Sequence, residues 1–281
     1  MKIKEVVDRI LAYHPDLGPD YHGCDEFKCG DPEAECTGVV CAMDATVGVA
    51  RKTAALGANL IVAHEPTNHT SMDRPGWTED FPNTVYAEKI RLLEENGIAV
   101  WRDHDHLHAH DPDGIFTGVM KYMGWKGRRD DSMGLFAHYV CDIPETTLAG
   151  LMRQLTETIG IRDCRYVGNP AMRVRRAAIV GHLYPQAGDP DREYSVRIIR
   201  YFEEEGVDVI LPGEVIDWTL LSYARDARQL HRNAAVVNLG HFNWEELGMR
   251  YAREWLCDLL KGEVPVYYVP TGDMYGHFHR E

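Results

Sequence analysis

The chain has 281 residues, 44% of them hydrophobic and 26% charged, the composition of a globular protein with a substantial core. Thirty basic residues against 44 acidic ones leave a formal net charge of −14, which repels phosphate backbones and anionic lipid and argues against nucleic-acid binding and membrane docking. No apolar run approaches the roughly 18–20 residues of a membrane span, and the charged, amphipathic start MKIKEVVDRILAY does not read as a signal peptide, so a cytoplasmic location is expected.

In chain order, Ile3, Val6, Val7, Ile10 and Leu11 recur at helical spacing. Thr37–Met43 is a short apolar run fit for a buried strand, Thr46–Leu56 reads as a helix stopped by Gly57, and Asn59–Ala63 as a second strand. Pro82–Asn96 is helical in pattern with Gly97 as its stop, and Ile98–Trp101 is the next strand. The alternation resumes after Gly127. A strand is expected at Leu135–Cys141, a helix at Thr146–Ile159 with Pro144 just ahead of it, a strand at Arg175–Val180 and a helix at Ser195–Glu205. A strand at Val207–Leu211, a helix near Trp218–Leu230, a strand at Ala234–Leu239, a helix at Trp244–Leu260 and a strand at Val264–Val269 complete the chain. Such alternation predicts an α/β fold with mixed sheets.

A self-comparison adds a second layer. Gly57-Ala58-Asn59-Leu60-Ile61-Val62-Ala63-His64-Glu65 aligns without gaps on Gly206-Val207-Asp208-Val209-Ile210-Leu211-Pro212-Gly213-Glu214. Each copy is a helix stop, a strand and a polar pair ending in Glu. Each is followed by a helix, a strand and a histidine with a polar ligand type four residues on: His104 and His108, then His241 and Glu245. Strand–helix alternation alone does not account for the repeated placement of His and Glu. The expectation is an internal duplication, with residues 1–130 and 131–281 as two similar α/β halves and a metal site between them.

Three clusters carry candidate chemistry. His64-Glu65-Pro66 follows a buried strand, and ligands in α/β sheets bind outside the carboxyl ends of strands. Between Trp101 and Gly114 lie His104, His106, His108 and His110, interleaved with Asp103, Asp105, Asp111 and Asp113 as acceptors that fix imidazole tautomers. An extended chain aims all four histidines to one side, whereas a helix stacks His104 on His108, so spacing leaves the choice of ligands open. In Gly240-His241-Phe242-Asn243-Trp244-Glu245-Glu246, Asn243 is expected to cap the helix with Glu246 at N3, which leaves Glu245 beside His241. His64, Glu65, His104, His108, His241 and Glu245, with Glu214 as the duplicate of Glu65, are more ligands than one ion needs and suit two. The seven cysteines include no CxxC pair, and the spacing of Cys24, Cys29, Cys36 and Cys41 matches no zinc ribbon, so reduced thiols are expected.

With these residues in view, the chain resembles the dinuclear-metal NIF-three-like family, whose members carry the label of type 2 GTP cyclohydrolase I homologues. The resemblance runs through Asp25–Asp31, Met43–Thr46, Gly57–Pro66, His104–Gly114 and Gly240–Glu245. It implies two similar α/β halves, a two-metal site between them and a toroidal homohexamer. The family's paired histidines before proline correspond to His64 and Glu65, and its His-Thr-Asn-Leu-Asp segment to His104–His108, so one ligand histidine becomes Glu65 and one ligand aspartate becomes His108. Its final His-x-x-x-Glu pair is present as His241 and Glu245. Around Gly181–Tyr184 the glycine-rich turn of many relatives is missing.

The leading expectation is therefore a metal-dependent hydrolase of a small cytoplasmic molecule, using a water activated by two divalent ions among zinc, iron, manganese, cobalt and nickel. His64, His108, His241 and Glu245 are its ligand candidates, Glu65 a ligand or proton acceptor, and His104 a catalytic candidate that, with His106, His110 and Glu214, orients ligands or shuttles protons. The alternative is a metal-binding scaffold or metallochaperone without turnover, which uses the same ligands. GTP ring opening rests on the family label alone, because the chain has no GxxxxGK(S/T) loop.

Overall fold

The computed structural model describes residues 1–132, 138–183 and 194–278. It divides into two compact units, Met1–Gly118 with Glu245–Thr271, and Val119–Trp244 with Gly272–Glu281. This differs from a single break between 130 and 131. Strand β11 (Val266–Tyr268) pairs in parallel with β2 (Val39–Ala42), a partner from the opposite end of the chain that no local pattern announces.

The first unit starts with α1 (Ile3–Tyr13), β1 (Phe27–Cys29) and β2, followed by α2 (Val47–Ala55), β3 (Leu60–Ala63), α3 (Thr84–Glu95), β4 (Ala99–Arg102) and the one-turn helix α4 (Asp105–His108). Its sheet order is β1-β4-β3-β2-β11, with only β1 antiparallel to its neighbour. β2, β3 and β4 read VVCA, LIVA and AVWR and are buried at every residue, the pattern of parallel strands covered on both faces. Thr46 caps α2 by accepting from Val49 N–H, and Asn83 caps α3 by accepting from Tyr86 N–H.

Helix α5 (Gly114–Met123) carries the chain into the second unit. There follow β5 (Lys126–Asp130), β6 (His138–Thr147), α6 (Leu148–Ile159), β7 (Arg165–Val167), β8 (Arg173–Ile179), α7 (Tyr194–Glu203), β9 (Val209–Leu211), α8 (Ser222–Gln229) and β10 (Ala235–Asn238), and then α9 (His241–Leu260), which belongs to the first unit from Glu245 on. The sheet order is β5-β6-β8-β9-β10-β7, parallel through β8, β9 and β10 and antiparallel at β5, β6 and β7.

The duplication extends over a whole half. The succession α1-β1-β2-α2-β3-α3-β4-α4 reappears as α6-β7-β8-α7-β9-α8-β10-α9, each with three parallel strands in the same order and an antiparallel strand beside the last. Gly57 and Gly206 hold matching positions with φ of +68° and +64°, a left-handed conformation in which a helix stop favours glycine.

Three local expectations change. β6 runs on through Pro144 to Thr147, with its register to β8 shifting between Asp142 and Thr146, because a residue without N–H is tolerated where the ladder is already interrupted. The start expected for that strand at Leu135 lies outside the described residues. Helix α9 begins at His241, with Trp244 N–H donating to Gly240 O, so Asn243 is inside the helix and does not cap it. Its Nδ2 donates instead to Leu239 O and Asp273 Oδ1, and Glu246 accepts from Tyr268 Oη and Thr271 N–H. Finally, α8 is preceded by a π-helical turn over Asp217–Leu221 in place of one continuous helix.

The second unit also buries a polar chain. Tyr201 Oη donates to Asp130 Oδ2 at 3.1 Å and accepts from His138 Nδ1 at 2.9 Å, while the Tyr194 hydroxyl donates to His138 Nε2. Burial lowers the His138 pKa to about 4 against Asp130 and Asp131, which raise it. The unfolded imidazole takes up a proton below about 6.5 and the folded one only near 4, so stability is complete above that window and lost as pH falls through it. Between pH 8 and pH 5 this group should remove about 2 kcal/mol. Denaturant unfolding of the wild type should show that loss in excess over His138→Gln, which cannot titrate.

Candidate metal centre

In the first unit β3 and β4 end side by side, with Ala63 opposite Arg102. The residues just past each strand are therefore neighbours at the carboxyl edge of the sheet, where α/β folds bind ligands. His64 and Glu65 leave β3 with both backbone N–H groups donating to Met43 O. Asp103 and His104 leave β4, and α4 turns at once.

No side chain of α4 itself caps that turn. Asp25 does so from a distance: Oδ1 accepts from the backbone N–H groups of His104 and Asp105, and Oδ2 from that of His106 and from His106 Nδ1. Burial works against a charged Asp25, but these donors prevail and hold its carboxyl below the usual range. Because the segment is helical, His104 and His108 share a face and both rings reach His64, with centroids 4.6 and 4.9 Å away. His106 is held by Asp25, and His110 Nε2 lies 2.7 Å from His14 Nδ1. Two of the four clustered histidines thus meet His64 and two serve other partners.

His64 is fully buried. Its Nδ1–H donates to Asp103 O at 3.1 Å, which makes Nε2 the nitrogen with the free lone pair. That Nε2 is buried, makes no hydrogen bond, and lies 3.4 Å from Glu245 Oε2. A carbonyl on one ring nitrogen and an uncommitted lone pair on the other is the arrangement of a metal-ligating histidine. Around it, His64, His104 and His108 each offer a donor atom within 4.8 Å of the others, as do His64, Glu65 and Glu245. Imidazole nitrogens and carboxylate oxygens in this mixture fit a borderline divalent ion.

The supporting groups are equally specific. Asp113 uses Oδ1 to accept from Ile115 and Phe116 N–H at the start of α5 and Oδ2 to accept from His108 Nδ1 at 2.7 Å. Burial lowers the His108 pKa, but Asp113, Glu245 and Glu65 raise it further, to about 9. His104 moves the other way, below the ordinary histidine value, through burial and the neighbouring His64. Arg102, itself buried, donates to His64 O and Ser71 O and stands 3.9 Å from Glu65 Oε2. His14 Nε2 lies 3.0 Å from Asp103 Oδ2.

His241 belongs to the second unit. There it lies 3.5 Å from Glu214 Oε1 and edge-on to His182, ring centroids 4.5 Å apart. His182 Nδ1 accepts from Glu214 N–H, and a Cβ on Gly213 would come within 2.7 Å of that nitrogen. The duplicated strand end thus carries Gly213 where the first carries His64, and the freed space admits His182. Tyr184, the end of the stretch without a glycine-rich turn, lies outside the described residues. On the chain itself, His241 opens α9 and Glu245 comes one turn later.

Sequence reading missed Asp25, His14, Cys24, Arg102 and His182. Asp25 lay in the Asp25–Asp31 motif, Cys24 in the cysteine cluster and His182 in the Gly181–Tyr184 stretch, but the partners of Asp25 and Cys24 lie about eighty residues downstream, where spacing rules do not reach.

The family described as Duf34/NIF3 (NGG1p interacting factor 3) matches residues 1–271. A Clostridium acetobutylicum protein named GTP cyclohydrolase 1 type 2 homolog is 24% identical over 259 residues, 87% of this chain and 85% of its own. Among solved structures, a hypothetical protein of Staphylococcus aureus superposes with a TM-score of 0.69 at 19% identity, covering 99% of both chains. A Bacillus cereus protein related to NIF3 gives 0.68 at 15% identity, covering 100% of this chain and 99% of its own. These likenesses establish a shared fold.

Removing the cap of α4 is the sharpest test of the geometry. Asp25→Ala should cost about 2–3 kcal/mol, since it strands three backbone donors and the His106 ring, and Asp25→Asn should recover part of that. Thermal or denaturant unfolding measures both.

Proposed function

The chain belongs to the Duf34/NIF3 family, and from that premise we propose that it binds two divalent transition-metal ions and hydrolyses a small molecule. His64, Glu65, His108 and Glu245, all of the first unit, are the ligands. The reading is carried by His64, whose buried Nε2 has its lone pair uncommitted among donors of metal-ligating type. When bound, such ions supply Lewis acidity that polarises a substrate and acidifies a water.

The protein's own groups divide the remaining work. Asp103 and Asp113 hold the His64 and His108 rings in the tautomers that present Nε2. Glu65, 3.9 Å from the Arg102 guanidinium, serves either as a ligand or as the acceptor of a proton. His104, whose hold on a proton is weakened by burial and by His64, exchanges a proton at Nε2 while its Nδ1 lies against Asp105 Oδ1.

Elemental analysis of purified protein should find transition-metal ions, and His64→Ala and Glu245→Ala should each weaken their retention by more than about tenfold, at least the effect of losing a supporting residue. The same substitutions should abolish hydrolysis on panels of small esters, amides and phosphate esters. Hydrolysis that survives both rejects the chemistry, and tight ion binding with no turnover on any panel rejects the hydrolase in favour of a carrier.

A further inference from the structure

A third group of ligand-type atoms, Cys24, His104 and Asp105, shares His104 with the His64 and His108 group. The loop before β1 lies over α4, where Tyr21 Oη donates to Asp105 Oδ2 at 2.8 Å and Cys24 N–H donates to the same oxygen at 3.3 Å. These donors anchor one carboxylate oxygen. The other, Oδ1, lies 2.7 Å from His104 Nδ1 and 3.5 Å from Cys24 Sγ. Cys24 Sγ is also 3.5 Å from Asp25 Oδ1, and the cysteine is only 4% exposed. The loop reaches this position because residue 23 is glycine: a Cβ there would fall 2.0 Å from Asp105 Oδ2.

We propose that Cys24 Sγ, His104 Nδ1 and Asp105 Oδ1 form a separate site for a thiophilic divalent cation, zinc above all. The three atoms lie within 4.8 Å of one another. Zinc bonds of about 2.3 Å to sulfur and 2.0–2.2 Å to nitrogen and oxygen, at tetrahedral angles, set donor atoms roughly 3.3–3.7 Å apart. The Cys24–Asp105 separation of 3.5 Å already matches that spacing. The His104–Asp105 separation of 2.7 Å must open by about half an ångström, which the ring and carboxylate reach by small rotations once the cation replaces their shared proton. Binding also releases the thiol proton, since the thiolate is the ligand. The Asp25 and Asp105 carboxylates favour the positive charge, and the anchored Oδ2 supplies the outer support that holds a metal-binding carboxylate in place.

The site does not rest on the hydrolase reading, because a thiolate ligand leaves a spectroscopic mark that histidine and carboxylate cannot produce. Full-length protein stripped of metal and titrated with cobalt(II) should develop near-ultraviolet thiolate-to-cobalt charge-transfer absorption. Cys24→Ser should lose that band while its circular dichroism stays that of the wild type, and should bind one ion fewer per chain. Asp105→Asn should weaken the band. Glu245→Ala and Cys29→Ala should both keep it, so failure of the His64 set and failure of this one read separately. A wild type without the band, or a band that persists in Cys24→Ser, overturns the proposal.

Discussion

The candidate centre depends on one turn of helix. α4 is only four residues long, too short to be stable on its own, since nucleating a helix fixes several residues for a single hydrogen bond. The Asp25 carboxylate makes it possible by taking three backbone N–H groups at the positive end of the turn. With that turn in place, residues four apart share a face and His104 and His108 meet His64. In an extended segment, His106 and His110 would point the same way, and nothing would distinguish the four.

The duplicated scaffold explains why both halves carry such residues and why they differ. Three parallel strands in the same order, with an antiparallel strand beside the last, bring the same two strand ends together in each unit. After β3 the first copy has His64 and Glu65 and then, after β4, a short capped turn. After β9 the second has Gly213 and Glu214 and then, after β10, the long helix α9. Losing the side chain at Gly213 is what admits His182 against Glu214 and His241. One architecture therefore supports two different donor arrangements, each decided by the residues at the carboxyl end of a strand.

Electrostatics in the first unit are set by burial and by the partners each group finds. Burial raises Asp44 to about 6, Lys89 opposing and Glu65 adding to it, and raises Glu246 to about 7 against the hydrogen bonds from Tyr268 and Thr271. His108 rises to about 9 because acidic neighbours outweigh its burial. Burial thus raises Asp44 and Glu246, whereas donated hydrogen bonds lower Asp25, and the acidic groups around His108 favour a positive charge there. Exposed pairs such as Lys2–Glu33 and Arg200–Glu204, in contrast, contribute little to stability.

The strand–helix alternation, the buried parallel strands and the duplication were all legible in sequence, because each is written in local periodicity and in residues that recur at matched positions. His64 and Glu65 could be located in the same way, as polar residues directly after an apolar strand. The boundary between the units could not, since β11 finds β2 across most of the chain. Nor could the register of α9, where Asn243 has the residue type of a cap but is committed to Leu239 and Asp273. The choice among four clustered histidines, the cap from Asp25 and the approach of Cys24 to Asp105 belong to tertiary structure alone. Those contacts join segments about forty to eighty residues apart, and no spacing rule runs across such a stretch until a packed core has brought its ends together.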